Sequence, residues 1–474
     1  MTSQIQSNKL SHYFKIIVQS IKGGIEYDYT AGNLKKAVVL LAIPMMLEMV
    51  LESVFALVDL YFVGHLQHSS FAVQTVGLTE SVLTVIYSVC IGLSMAATAI
   101  VARRVGEKKP EEAAKSGAQT IMLALSLNVA MSILGILYAK EILLLMGSSE
   151  ASAEYGKTFV QIMMGGSISI VLLFVINGIF RGAGNASIAM KSLWIANGCN
   201  IILAPILISG IGSFEGLGLT GAAIATTTGR SIGVLYQCYH LFFDKSSLKI
   251  HISQFLPDLE QIRAIVKVAA PGVMQFVIAS CSWIFLAYLV AESGGDEASA
   301  GYQTALRIMM FFMLPAWGFS NAAATLVGQN LGAKEIGRAS KSVFLTARYN
   351  ATYMGIIMVL TFLFAGFIMQ FFTNDPEVVK ISKRAIYIMS SGYVFYGIGM
   401  VMVNAFNGAG DTWTPTWINL FGFWLFQIPL AFVLAKVFGL DETGVFIAIP
   451  VAETAISVAG IILFRKGKWK KIKV

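Results

Sequence analysis

Charge is what this sequence has least of. Asp, Glu, Lys and Arg make up 13% of its 474 residues, about half the share in an ordinary soluble protein. A water-facing surface cannot be covered from that supply, so most of the outer surface must face lipid. Cysteine is also scarce: Cys90, Cys199, Cys238 and Cys281 all fall within or at the ends of apolar runs. They form no CxxC or Cys/His spacing, which excludes a disulfide framework and a cysteine metal site. The five histidines (His12, His65, His68, His240 and His251) have no metal-ligand spacing on any helix. No nucleophile–base pattern accompanies them, so the chain reads as a non-enzyme that needs no cofactor. Residues 1–33 lack the apolar core of a secretory signal and read as a cytoplasmic N-terminal segment. Within it Leu10–Ile21 is weakly amphipathic and fits equally a helix on the membrane surface or a frayed tail.

What the chain has instead is length of apolar run. A spanning helix needs about 20 mostly apolar residues. Twelve such runs lie near 36–62, 76–101, 117–138, 159–180, 188–210, 219–243, 265–291, 302–327, 343–371, 385–406, 414–438 and 443–464. The polar stretch 244–264 divides them into lobes 34–243 and 265–464, leaving a basic tail at 465–474. The net charge of +8 does not point to nucleic acid, because the basic residues sit in short clusters between the runs. One side of the membrane collects the tail lysines, Arg103 to Lys115, Lys245, Lys249, Lys334 to Lys341 and Arg465 to Lys473. The other has Lys140, Lys157, Lys380, Lys383 and Arg384. The positive-inside rule then puts both termini in the cytoplasm, which requires an even helix count.

The chain also repeats itself. GLSMAATAIVARRVGEKKPEEAAKS from Gly92 has a partner, GFSNAAATLVGQNLGAKEIGRASKS, from Gly318. RGAGN (Arg181–Asn185) recurs as NGAGD (Asn407–Asp411), again 226 positions later. Pro44 and Pro271 open the two halves, and Gly221 matches Gly444 in context. An even number of helices per repeat gives both halves the same orientation, with a central cavity between two bundles suited to alternating access. The glycine turns lack the Lys-Ser/Thr of a phosphate loop.

These segments, with VFALVDLYFVGHL (Val54–Leu66), resemble the multidrug and toxic compound extrusion (MATE) family, in order from Pro44 to Ile462. The resemblance implies an all-α integral membrane fold of twelve helices in two pseudo-symmetric six-helix lobes around a central cavity. It implies secondary active efflux of amphipathic, often cationic, small organic molecules from a multi-pass protein of the plasma membrane. Asp59 matches the family's acidic residue near the outer end of the first helix. Some members have acids within second-lobe helices. None lies between Pro271 and Tyr288 or between Ile386 and Asn404, which favours protons over sodium as the coupling ion. A flippase for lipid-linked sugars is the competing plan and would need a cationic cavity. The protein is expected to act as a monomer.

Ionisable side chains inside spans are functional candidates. The first helix has Glu48, Glu52 and Asp59, all on one face at about 100° per residue. Glu48 and Glu52 stand one turn apart and would repel by roughly 3 kcal/mol at an effective dielectric near 20, so they are expected to share protons as a unit. Glu80 could join them, or be an interface residue. Arg230 is a lone cation of the sixth helix and pairs most simply with one of these carboxylates, or packs against carbonyls at a kink. Its repeat equivalent is Glu453. Asn177 joins the coupling group, although Asn177, Asn197 and Asn200 could equally tie helices together. In the second half, Gln275, Trp283, Tyr288, Tyr393, Tyr396 and Asn404 offer an uncharged aromatic and amide lining for flat cations.

Overall fold

The computed structural model describes residues 14–24, 27–64, 69–212, 214–243, 248–372 and 375–472, and it omits the side chains of 56–64, 69–71, 73, 214 and 371. A short helix α1 (14–22) precedes α2 (Leu34–Gly64), α3 (Ser69–Gly106), α4 (Pro110–Leu137), the short α5 (Ala139–Leu145), α6 (Glu150–Gly165), α7 (Ser167–Ala183), α8 (Ala186–Ser209) and α9 (Gly218–Phe242). A two-residue antiparallel ladder, β1 (Gly210–Ile211) with β2 (Phe214–Glu215), closes the turn between α8 and α9. The second half holds α10 (Leu259–Gly332), α11 (Ile336–Phe372), α12 (Pro376–Ser390), α13 (Tyr393–Gly408), α14 (Trp413–Asn419), α15 (Ile428–Phe432) and α16 (Asp441–Lys466).

Among the described residues nine helical stretches are long and apolar enough to cross a membrane, and α12 with α13, bent by 54°, make a tenth. At 74 residues, α10 is two helices joined at a break, each about 54 Å long and able to cross once. Its break is Gly295, whose φ of 73° and ψ of −161° suit glycine alone. The remaining segment is α9, apolar enough to pack but diluted by Thr226–Thr228 and Arg230. The fold is thus the expected all-helical one, two lobes around a cavity, with nine or ten candidate spans among the described residues. Two features escaped that reading. Where a loop was expected near 292–301, two helices meet directly at the break at Gly295. From Leu420 to Gln427 and from Val433 to Val437 it widens to π-helix around Pro429, which has no N–H to donate.

Lipid offers no hydrophobic drive between spans, so close packing of small residues holds them. Glycines of α3 and α10 do this at the seam between lobes. A Cβ on Gly106 would stand 2.0 Å from the Gln329 carbonyl oxygen, and one on Gly332 2.2 Å from that of Arg103. Near the cavity, a Cβ on Gly272 would come 3.3 Å from the Cα of Gly92.

Polar bonds close the same basic side. Tyr29 Oη donates to the Gly184 carbonyl (3.1 Å), while Arg338 donates to the carbonyls of Tyr29 (3.2 Å), Ala31 (2.7 Å) and Gly32 (2.9 Å). Gln329 Nε2 reaches the Gly182 carbonyl at 2.9 Å, and Thr325 Oγ1 that of Arg181 at 3.0 Å. The segment after α1 therefore straps the first lobe to the second. Outside the spans, Asp258 caps α10 and accepts from Lys115 at 2.6 Å. Those bonds from Lys115 and the helix N-terminus hold its carboxyl below the usual range.

Candidate functional site

Between the lobes lies a cavity of about 590 Å³. On its first-lobe wall, Glu48 and Glu52 project one turn apart from α2, as their spacing requires. Asn177 and Arg181, also one turn apart on α7, meet Glu48. Glu48 Oε1 accepts from Asn177 Nδ2 at 3.0 Å and from Arg181 Nη2. Asn177 Oδ1 in turn accepts from Ser192 Oγ (3.1 Å) on α8 and Gln237 Nε2 (2.6 Å) on α9. Glu52 Oε2 accepts from Asn197 Nδ2 at 3.0 Å, and its Oε1 faces Arg230 Nη2 at 3.4 Å. Glu48 is 1% exposed and Arg230 5%. The network ties four helices of the first lobe around two carboxylates.

This arrangement revises one expectation. Glu48 and Glu52 do share a face, but each has its own arginine, so the mutual repulsion inferred from spacing is offset by opposite charge. Arg230 pairs with Glu52 as expected, from behind the cavity wall and over the Phe55 ring. Arg181 was missed because RGAGN read only as a turn. Two signals could have found it: its one-turn spacing from Asn177 and its repeat position opposite Asn407. Asn200 does only what a tying residue does, donating to Thr226 Oγ1 at 2.9 Å. Glu80 is exposed and does not line the cavity. The side chain of Asp59 lies outside the described residues.

On the second-lobe wall Gln275, Trp283, Tyr396 and Asn404 line the cavity. The Gln275 amide is already engaged, donating to Asn407 Oδ1 (3.1 Å) and the Thr412 carbonyl (3.0 Å), while Asn404 Nδ2 donates to Ser320 Oγ at 2.7 Å. Tyr288 and Tyr393 do not line it. Tyr288 is 61% exposed on the outer surface against Phe285, since it sits about 220° around the helix from Gln275. Tyr393 is buried in the second-lobe core, about 16 Å along α13 from Asn404. Nor is this wall uncharged, because Glu453 of α16 opens onto the cavity.

The duplication, the two lobes and the cavity between them match one known architecture. The MatE family model matches residues 44–206 and, separately, 271–433. The chain belongs to the MatE family. Members are membrane transporters rather than enzymes, and this MatE chain is a multi-pass membrane protein. It is 29% identical to a probable multidrug resistance protein NorM of Thermotoga maritima over 93% of this chain and 94% of that one. A FAD transporter of Shewanella oneidensis is 24% identical, over 85% of this chain and 88% of its own. The solved outward-facing structure of a multidrug resistance MATE transporter superposes with a TM-score of 0.88 at 25% identity, covering 94% of this chain and 98% of that one.

Proposed function

We propose that this MatE transporter is a proton-coupled antiporter that exports amphipathic, often cationic, organic compounds by alternating access of the lobes 34–243 and 265–464. The observation that carries this reading is the buried Glu48–Asn177–Arg181 and Glu52–Arg230 network on the cavity wall. With Glu48 ionised, its charge and that of Arg181 cancel, and the wall tolerates a bound cation. A proton arriving on Glu48 neutralises that acid and leaves Arg181 without its carboxylate beside the cavity. The wall then becomes positive and the cation is expelled, so proton entry and substrate exit are linked. A membrane potential of 100 mV supplies about 2.3 kcal/mol per charge moved. The names of the relatives, multidrug resistance proteins among them, agree with this substrate class. The flippase alternative is disfavoured, because three acids and one arginine line the cavity among the described residues. The basic clusters support cytoplasmic termini, in a monomer of the plasma membrane.

The test is ethidium efflux from reconstituted vesicles under separately imposed gradients. An imposed pH gradient should drive efflux with no sodium gradient present. Efflux that followed sodium and ignored pH would replace this reading with sodium coupling.

A further inference from the structure

Three carboxyls line the cavity, and their surroundings differ in kind. Glu48 and Glu52 are each held by an arginine. Glu453, midway along α16 and 4% exposed, has no ion pair among the described residues. The Tyr396 hydroxyl bonds to this carboxyl, while its Oε1 has no partner there. Burying an acceptor without a partner is costly unless something supplies the missing donor. The same cavity presents apolar and aromatic surface, including Phe423, Trp283 and Ile456. The internal repeat sharpens the contrast: at the position where the first lobe places Arg230, the second places this acid.

From this we infer that Glu453, steadied by Tyr396, is the anchor for the positive group of an amphipathic organic cation. The inference rests on the export reading above and assigns its substrate contact to the second lobe. An ammonium or other N–H cation would give Oε1 its missing donor, and a permanent cation would answer its charge alone. The flat apolar remainder of such a molecule would lie on Trp283 and Phe423 through their ring faces. The first-lobe carboxylates cannot serve equally, because a cation binding there must compete with an arginine already in place.

Equilibrium binding to the purified full-length transporter in lipid nanodiscs, with no gradient, tests the anchor separately from coupling. The probes are ethidium, a permanent cation, and Nile red, a neutral dye of similar size. Glu453→Gln should weaken ethidium at least about tenfold, as loss of a charged contact does. Nile red affinity should stay within about twofold, and Glu453→Asp should recover part of the ethidium affinity. Glu52→Gln, with Glu453 intact, should change ethidium less than Glu453→Gln does. Unchanged ethidium affinity in Glu453→Gln overturns the anchor. So does equal loss of both dyes in a variant that keeps its gel-filtration profile, and so does a wild type that binds neither dye. Gradient-driven efflux of the wild type judges the proton reading by itself, since ethidium can bind through Glu453 even if sodium proves to be the coupling ion.

Discussion

Arg181 shows how a single side chain can be both structural and functional. It is 11% exposed and holds a carboxylate that is 1% exposed. Removing one partner of a buried pair leaves the other charge stranded, which costs about 3–5 kcal/mol. Arg181→Met should therefore lower the melting midpoint in detergent clearly. The double variant Glu48→Gln, Arg181→Met should recover most of the loss, since no charge is then left alone. A double variant no better than the single one would show that Arg181 acts by packing instead. The legibility of the site follows the same physics. Glu48 and Glu52 could be found because helical spacing fixes their common face. Their partners could not, because spacing within one helix does not say which helices are neighbours. Tyr288 was misplaced for a simpler reason: its angular phase relative to Gln275 went uncounted. Glu453 was visible only as the repeat counterpart of Arg230, on a helix that otherwise reads as an apolar span.

At the scale of elements, apolar run length located nearly every span, because lipid forces the backbone to satisfy itself within each helix. What it could not locate were the widened turns on either side of Pro429, where π-helix replaces the regular span. The contact of α3 with α10 is decided by absent side chains. At Gly106 an added methyl group would meet a backbone oxygen, which cannot swing aside as a side chain can. Gly106→Ala should hold α3 and the end of α10 apart and deplete the state in which the basic side is closed. Spin labels placed on the two lobes at that side should report a longer mean distance than in the wild type. Unchanged distances with normal transport would mean that the seam has slack elsewhere.

For the whole molecule, the strap after α1 joins the two lobes on the basic side. Arg338 makes three of its bonds. Charge-assisted bonds to half-exposed carbonyls contribute modestly, so Arg338→Ala should favour opening by about 1–2 kcal/mol, roughly tenfold in population. Faster labelling of a cysteine introduced beneath the strap would register that shift, and unaltered labelling would assign closure to the glycine seam alone. The acceptors of this clasp share one property. Those at Arg181, Gly182, Gly184, Tyr29, Ala31 and Gly32 are all main-chain carbonyls. When the clasp parts, water can take each vacated oxygen, and no acidic group is abandoned that would have to be found again. Such a latch would re-form with little hysteresis, and mutational drift in the side chains of the strap leaves its acceptors in place.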